Sequence, residues 1–104
     1  MKKRRTEVFK KNFNGRKLIV TLTGRLDTEE PELEKKIQEE LDGVDKLVFD
    51  LRTVDHVSSA GLRVLSSTQR IMTKQGKMVI RNASDEVKDF LDQTGYSDIL
   101  TLVS

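Results

Sequence analysis

The sequence predicts a single α/β domain with a mixed sheet of roughly four to five strands, which begins with an antiparallel hairpin and carries its helices mostly on one face. Two short and nearly continuous apolar runs, residues 46–51 and 76–80, are typical of central strands. Residues 59–74 between them have the periodicity of an amphipathic helix. A strand–helix–strand series of this length predicts a right-handed parallel crossover.

The elements before the first of these runs predict a hairpin followed by a helix. Residues 7–13 and 18–23 are strand-like and flank Asn14-Gly15, a strong hairpin turn signal, and Gly24 is expected to break the second strand. Pro31 suits the first turn of a helix that Asp27 or Thr28 would cap. An apolar stripe at every fourth position supports this helix, which Gly43 ends: Leu33, Ile37 and Leu41.

The second half of the chain continues the alternation of strands and helices. The strand at residues 46–51 is expected to end near Leu51 and to be followed by a loop that leads into the helix at residues 59–74. A last helix is predicted up to Leu91, with Ser84 or Asp85 as its cap. Residues 99–103 close the chain as a strand or a docked tail.

Composition excludes several classes of protein. The 104 residues include no cysteine and a single histidine, His56, so disulfides, thiolate sites and multi-histidine metal sites are excluded. No apolar run approaches the roughly 20 residues of a membrane span. The basic start leads into no apolar stretch, so it is not a secretory signal, and we expect a cytoplasmic protein.

The positive net charge belongs to the amino terminus. The chain carries +2, but four basic residues lie at positions 2–5, and the remaining 15 basic and 17 acidic residues leave −2. We therefore expect residues 1–6 to be a flexible basic tail and residues 7–104 to be the domain. The balance of charge does not indicate a nucleic-acid-binding face.

Residues 50–62 carry the most functional information, because two serines open a helix directly after a buried strand. One serine can serve as the helix N-cap, which contributes about 1 kcal/mol. A hydroxyl at this end of a helix is also well placed to carry a phosphate, since the unpaired N–H groups stabilise an anion. Ser59 falls on the polar arc of the helix and Ser58 nearer the apolar arc, so Ser59 is the more exposed candidate.

No enzymatic site is predicted. Asp55, His56 and the serines lie too close together along one loop to form a hydrolase triad easily. The chain has no Gly-x-Ser-x-Gly motif, no phosphate-binding glycine loop and no carboxylate pair suited to acid–base chemistry. We expect no catalytic residue, metal or cofactor.

Three ordered motifs resemble the STAS domain family, as found in bacterial anti-sigma factor antagonists. Residues 57–65 (VSSAGLRVL) are similar to its signature loop and helix, residues 24–27 (GRLD) to its Gly-x-Leu-Asp turn, and residues 91–100 (LDQTGYSDIL) to its closing segment. The resemblance implies a phosphoprotein that acts by partner switching in sigma-factor control of stress response or sporulation. Unphosphorylated, it would bind an anti-sigma factor serine kinase, and a PP2C-type phosphatase would reverse the phosphorylation.

Alignment on Gly61 and Leu62 implies that Ser59 is the phosphorylated serine. The usual aspartate of the family is replaced by Ser58, which remains a rival site, and the usual Ser/Thr by Ala60. The expected partner-binding residues surround these serines: Asp27, Thr28, Ser58, Gly61, Leu62, Arg63, Ser66 and Arg70.

Alternatives remain for several of these residues and for the role itself. Leu62 suits a packing role as well as an apolar anchor, Arg63 and Arg70 suit plain solvated charges, and Asp27 suits a helix cap. A second role is a non-phosphorylated scaffold, for example an accessory subunit of a transporter or of a stress-signalling complex. We expect no nucleic-acid partner and no membrane span.

Overall fold

The computed structural model describes residues 9–26, 31–96 and 99–103. The predicted tail at residues 1–6 lies outside these ranges. The elements are, in chain order, β1 (Phe9–Asn14), β2 (Lys17–Leu26), α1 (Pro31–Glu39), β3 (Lys46–Val57), α2 (Ser59–Thr73), β4 (Lys77–Arg81), α3 (Asp85–Gln93) and β5 (Leu102–Val103).

The strands form one five-stranded mixed sheet in the order β1-β2-β3-β4-β5. β1 and β2 are antiparallel and turn at Gly15, whose φ of 66° suits a residue without a side chain. Every other pair of neighbours is parallel, and a helix connects the two strands of each pair. The predicted α/β architecture and its opening hairpin are thereby confirmed.

The core lies on one face of the sheet, between the strands and the helices. Alternate residues of the three central strands are buried there, and the largest is Phe49, which is fully buried. Ile37 of α1, Leu65 of α2 and Leu91 of α3 belong to the same core cluster. Each such side chain contributes about 1.5–3 kcal/mol through burial, so the helices are held on this face mainly by hydrophobic packing.

Two strands are longer than the sequence analysis predicts. β2 continues through Gly24 to Leu26, and β3 continues past Leu51 to Val57. The pairing of the two strands shifts register twice, and Gly24, with a φ of 85°, lies at the second shift. The extra residue at this shift lies on β3, and Gly24 on the facing strand has a positive φ that glycine adopts without steric cost, so β2 passes through Gly24 without ending there.

A hydrogen-bonded carboxylate fixes the end of β4 against β3. Asp50 Oδ1 accepts hydrogen bonds from the Arg52 N–H and from Asn82 Nδ2, both at 3.1 Å, and Arg81 Nη2 lies 3.4 Å from Asp50 Oδ2. Burial alone would raise the pKa of Asp50, but these hydrogen bonds and the charge of Arg81 together hold its pKa below the usual value.

The Asp50 cluster makes stability dependent on pH. The lowered pKa of Asp50 means that its contribution is present above the pKa of the unfolded chain, about 3.9, and is lost as the pH falls through the folded pKa. We expect Asp50→Asn to lower the free energy of unfolding at pH 7 by roughly 1–3 kcal/mol, because a charged acceptor is lost. Urea denaturation at pH 7 and at pH 3 measures the effect.

The matched control is Asp45→Asn, which removes an exposed carboxylate paired with Arg16 at 3.3 Å. Its cost should stay below about 1 kcal/mol at either pH. A deficit in Asp50→Asn that does not shrink in acid would contradict the assigned role of the carboxylate.

Candidate functional site

The second half of β3 positions the candidate site. After Asp50 the strand has no partner in β4 and pairs only with β2. Leu51, Val54 and Val57 are buried at every third position, although a regular strand would bury every second residue. The register shifts against β2 account for this spacing, because each extra residue in β3 exchanges the two faces of the strand.

Hydroxyl groups stabilise this irregular pairing. The hydroxyl of Thr53 donates a hydrogen bond to the Leu22 carbonyl at 3.2 Å. The hydroxyl oxygens of Thr23 and Thr53 are also 3.2 Å apart. The polar groups that a bulge removes from the ladder are therefore partly satisfied by side chains, and the strand keeps its direction up to Val57.

Ser58 is the N-cap of α2. Its backbone is extended, with φ −98° and ψ 180°, and its Oγ accepts a hydrogen bond from the Gly61 N–H at 3.3 Å. The Ser58 carbonyl accepts from the Leu62 N–H at 2.9 Å. This side chain is half-buried and already occupied, so the capping role that the sequence assigned to one of the two serines belongs to Ser58.

Ser59 is the first residue of α2, and it is exposed. The first turn of this helix contains no acidic residue that would neutralise its positive end. An anion at this position would meet unpaired N–H groups and the positive end of the helix dipole. Ser59 is thus open to solvent, and its surroundings within the helix favour a negative charge.

The other residues that the sequence analysis placed on the partner surface divide into two groups. Arg63 and Arg70 are exposed and Ser66 is half-buried, and their spacing from Ser59 places all four on one stripe of α2. Gly61 and Leu62 are buried, and Leu62, at 4% exposure, belongs to the hydrophobic core. The structure therefore gives Leu62 the packing position that the sequence analysis held open.

Asp27 and Thr28 lie outside the described residues. Leu26, the last described residue before them, pairs with Val57, which directly precedes Ser58. The end of β2 is consequently next to the end of β3 at the entrance to α2.

An open groove of about 460 Å³ runs beside the serines, between the start of α2 and α3. Asp55, His56 and Val57 of β3 line it together with Ser58 and Ser59, and α3 contributes three further residues: Glu86, Val87 and Phe90. Val87 is buried, Phe90 is half-buried and Glu86 is exposed, so the groove has an apolar floor and acidic groups at its rim.

The residues of α3 were missed by the sequence analysis. The predicted topology could have indicated them, because α2 and α3 both begin after the carboxyl end of a parallel strand. Such helix starts lie at the same edge of a sheet. Sequence periodicity alone assigned Val87 and Phe90 to a helix but not to a shared groove.

Among the residues that the structure describes, no hydrogen bond connects His56 with Asp55 or with either serine. Those residues also contain no group of three His, Cys, Asp or Glu side chains that would hold a metal ion. In the described ranges, no helix is long and apolar enough to cross a membrane.

Solved structures of other proteins share this fold. An anti-sigma factor antagonist from Mycobacterium paratuberculosis is 23% identical over 90% of this chain and 82% of its own, with a TM-score of 0.79. The anti-sigma factor antagonist SpoIIAA in its unphosphorylated form is 16% identical over 92% of this chain and 88% of its own, with a TM-score of 0.78. A sulfate transporter family protein from Wolinella succinogenes is 17% identical over 82% of this chain and 71% of its own, with a TM-score of 0.72.

Identities at this level establish a shared fold. None of the curated proteins compared with the chain matches it significantly. The model of the STAS domain family matches residues 8–104, which is nearly the whole sequence. The chain therefore belongs to the STAS domain family.

Proposed function

We propose that this STAS domain is an anti-sigma factor antagonist that works by partner switching. Unphosphorylated, it binds an anti-sigma factor that is also a serine kinase. Phosphorylation of Ser59 releases the kinase, and a PP2C-type phosphatase restores the binding form. The observation that carries the proposal is the exposed Ser59 hydroxyl at the first position of α2, beside an open groove.

Electrostatics supplies the reason why one phosphate would change the partner. A phosphoserine carries about −1.5 to −2 charge at pH 7. The positive end of α2 tolerates this charge within the fold. The groove, however, already carries Asp55 and Glu86, so a partner seated there would meet three acidic groups in place of two. A loss of about 3 kcal/mol, roughly a hundredfold in affinity, would be enough to separate the two states.

The half-buried Ser58 supports the choice of Ser59 as acceptor. The Ser58 hydroxyl accepts the Gly61 N–H, so its transfer into a kinase active site would break the cap of α2. Ser59 has no such role within the helix start. The structural relatives named as anti-sigma factor antagonists are consistent with a regulatory rather than an enzymatic function.

A second candidate function is that of a scaffold or accessory domain of a transporter or stress-signalling complex. The similarity to the sulfate transporter family protein favours it. Affinity purification from native lysate, with and without phosphatase treatment, distinguishes the two. The antagonist recovers a serine kinase whose yield rises on phosphatase treatment, whereas the accessory domain recovers transporter subunits in constant yield.

Phosphorylation in vitro tests which serine is the acceptor. A cognate anti-sigma factor kinase with ATP should add one phosphate to Ser59, because this hydroxyl is exposed and free of a capping role. Mass spectrometry of the digested protein identifies the site. Ser59→Ala should remain unmodified while Ser58→Ala is still phosphorylated, and phosphate found only on Ser58 would overturn the assignment.

A negative charge at position 59 should lower the affinity for the kinase. Ser59→Asp should bind the kinase about tenfold or more weakly than the unmodified protein, because it adds a negative charge at the groove. Isothermal titration calorimetry provides the measurement. Asn12→Asp adds the same charge at an exposed position of the edge strand β1, away from the groove, and should bind normally. Equal affinities for the two variants would count against the electrostatic mechanism.

The two serines should differ in how much each contributes to the free energy of unfolding. Ser58→Ala should lower the free energy of unfolding by about 1 kcal/mol, because the Gly61 N–H loses its acceptor. Ser59→Ala should stay within about 0.5 kcal/mol, as is usual for an exposed residue. Urea denaturation of both variants tests this, and a larger loss for Ser59→Ala would reverse the assigned roles.

A further inference from the structure

One face of the sheet has no helix on it among the residues that the structure describes. The strands from β2 to β5 are all parallel, and parallel sheets are normally covered on both faces. Here the core cluster takes side chains from one face only. On the opposite face Ile19 and Val79 are half-buried, and they belong neither to the core nor to the hydrophobic residues packed against it. We call this opposite face the open face.

Three lysines lie side by side at one end of the open face. Lys17 of β2 is in register with Lys46 of β3, and Lys46 is in register with Lys77 of β4. Neighbouring strands are about 4.8 Å apart, so three positive charges originate within roughly 10 Å on the same side of the sheet. Like charges directly opposite each other destabilise a sheet. We call this set the lysine row.

Two acidic residues near the lysine row form ion pairs with arginines instead of with these lysines. The Asp45 carboxylate pairs with Arg16 at 3.3 Å. Asp50, further along the open face, is bound by Arg81 and Asn82. Within the described ranges no ion pair involves any member of the lysine row. The described residues therefore do not offset the repulsion among the three lysines.

An apolar row lies directly beside the lysine row. Two residues further along each strand, Ile19, Val48 and Val79 are in register with one another and point to the same face. This places them about 6.6 Å from the lysine positions. The open face thus combines a strip for hydrophobic contact with a flanking strip of positive charge.

We propose that the open face docks an amphipathic helix of a partner protein, with acidic side chains beside its apolar stripe. The apolar stripe would cover Ile19 and Val79, with the nearly buried Val48 between them, and the acidic side chains would neutralise the lysine row. A helix here would give the parallel sheet its second covering layer. The basic residues at positions 2–5 of this chain have the same sign as the row and would not complement it.

The chemistry of the apolar row favours a protein over a membrane or a nucleic acid. Val48 is only 3% exposed and lies between the half-buried Ile19 and Val79, so the contact area of the row comes from these two outer residues. None of the three side chains projects far enough to enter a bilayer. A phosphate backbone would use the lysines but would leave the apolar row unpaired. A helix with both acidic and apolar residues satisfies both rows.

This surface is separate from the phosphorylation site and does not rest on its proposed function. The lysine row lies at the amino ends of the parallel strands, whereas Ser59 follows the carboxyl end of β3. A partner on the open face would therefore leave the groove beside Ser59 accessible. The domain would have two docking surfaces, of which only one contains the proposed phosphoserine.

The test uses the full chain and a synthetic helical peptide with a leucine stripe flanked by glutamates. Amide chemical shifts in an NMR titration locate the peptide, and fluorescence anisotropy gives its Kd. We expect shifts at Ile19, Val48 and Val79, and weaker binding as salt rises. Lys46→Glu should weaken binding about tenfold or more. The same change places a carboxylate between two lysines, so the melting temperature should not fall and unfolding cannot explain the loss.

The controls test whether the position of the charge matters and whether a ligand other than an acidic helix binds the open face. Lys35→Glu changes the net charge equally at an exposed position of α1 and should bind normally. A peptide with glutamine in place of glutamate should bind at least about tenfold more weakly. The proposal is overturned by no binding at millimolar peptide, by equal affinity of Lys46→Glu, or by shifts confined to the groove. Tighter binding to phosphatidylglycerol vesicles or to single-stranded RNA would also overturn it.

Discussion

The pairing of β2 with β3 is the interaction on which the candidate site depends. β3 is central in its first half, where β2 and β4 flank it, and it continues beyond β4 with β2 as its only partner. Leu51, Val54 and Val57 anchor this extension in the core while the register shifts twice. The extension ends at the residue before Ser58, so the accuracy of this pairing determines where α2 begins.

Adjacent serines at the start of α2 occupy different physical environments. Ser58 is half-buried, and its hydroxyl accepts a hydrogen bond from the Gly61 N–H. Ser59 is exposed at a helix end that has no acidic residue in its first turn. A hydroxyl that caps a helix is costly to modify, and a hydroxyl one position later can accept a charge that the helix dipole stabilises. A negative charge added to the second hydroxyl therefore changes the surface charge without removing the helix cap.

Charge is distributed unevenly over the two ends of the sheet. The groove at the carboxyl ends of the strands has Asp55 and Glu86 at its rim, and the lysine row occupies the amino ends on the open face. The net charge of +2 conceals both features, because each depends on residues that are distant in sequence. Partners of opposite charge could therefore be bound at separate places on one small domain.

Local signals in the sequence were sufficient for the architecture and for the central serines. The turn at Asn14-Gly15, the serine cap of α3 and the periodicity of α2 act over a few residues, and the structure has each of them where the sequence predicts it. The order of strands and helices then follows from the parallel crossover rule. The exposed position of Ser59 also follows from helical periodicity alone.

Tertiary structure decided what depends on pairing between distant segments. Residues 52–57 were expected to form a loop, and Gly24 was expected to end a strand, yet both lie within the β2–β3 ladder. The contribution of α3 to the groove and the alignment of the three lysines have the same origin. Register between strands is determined by the packing of the whole sheet, and no window of neighbouring residues contains that information.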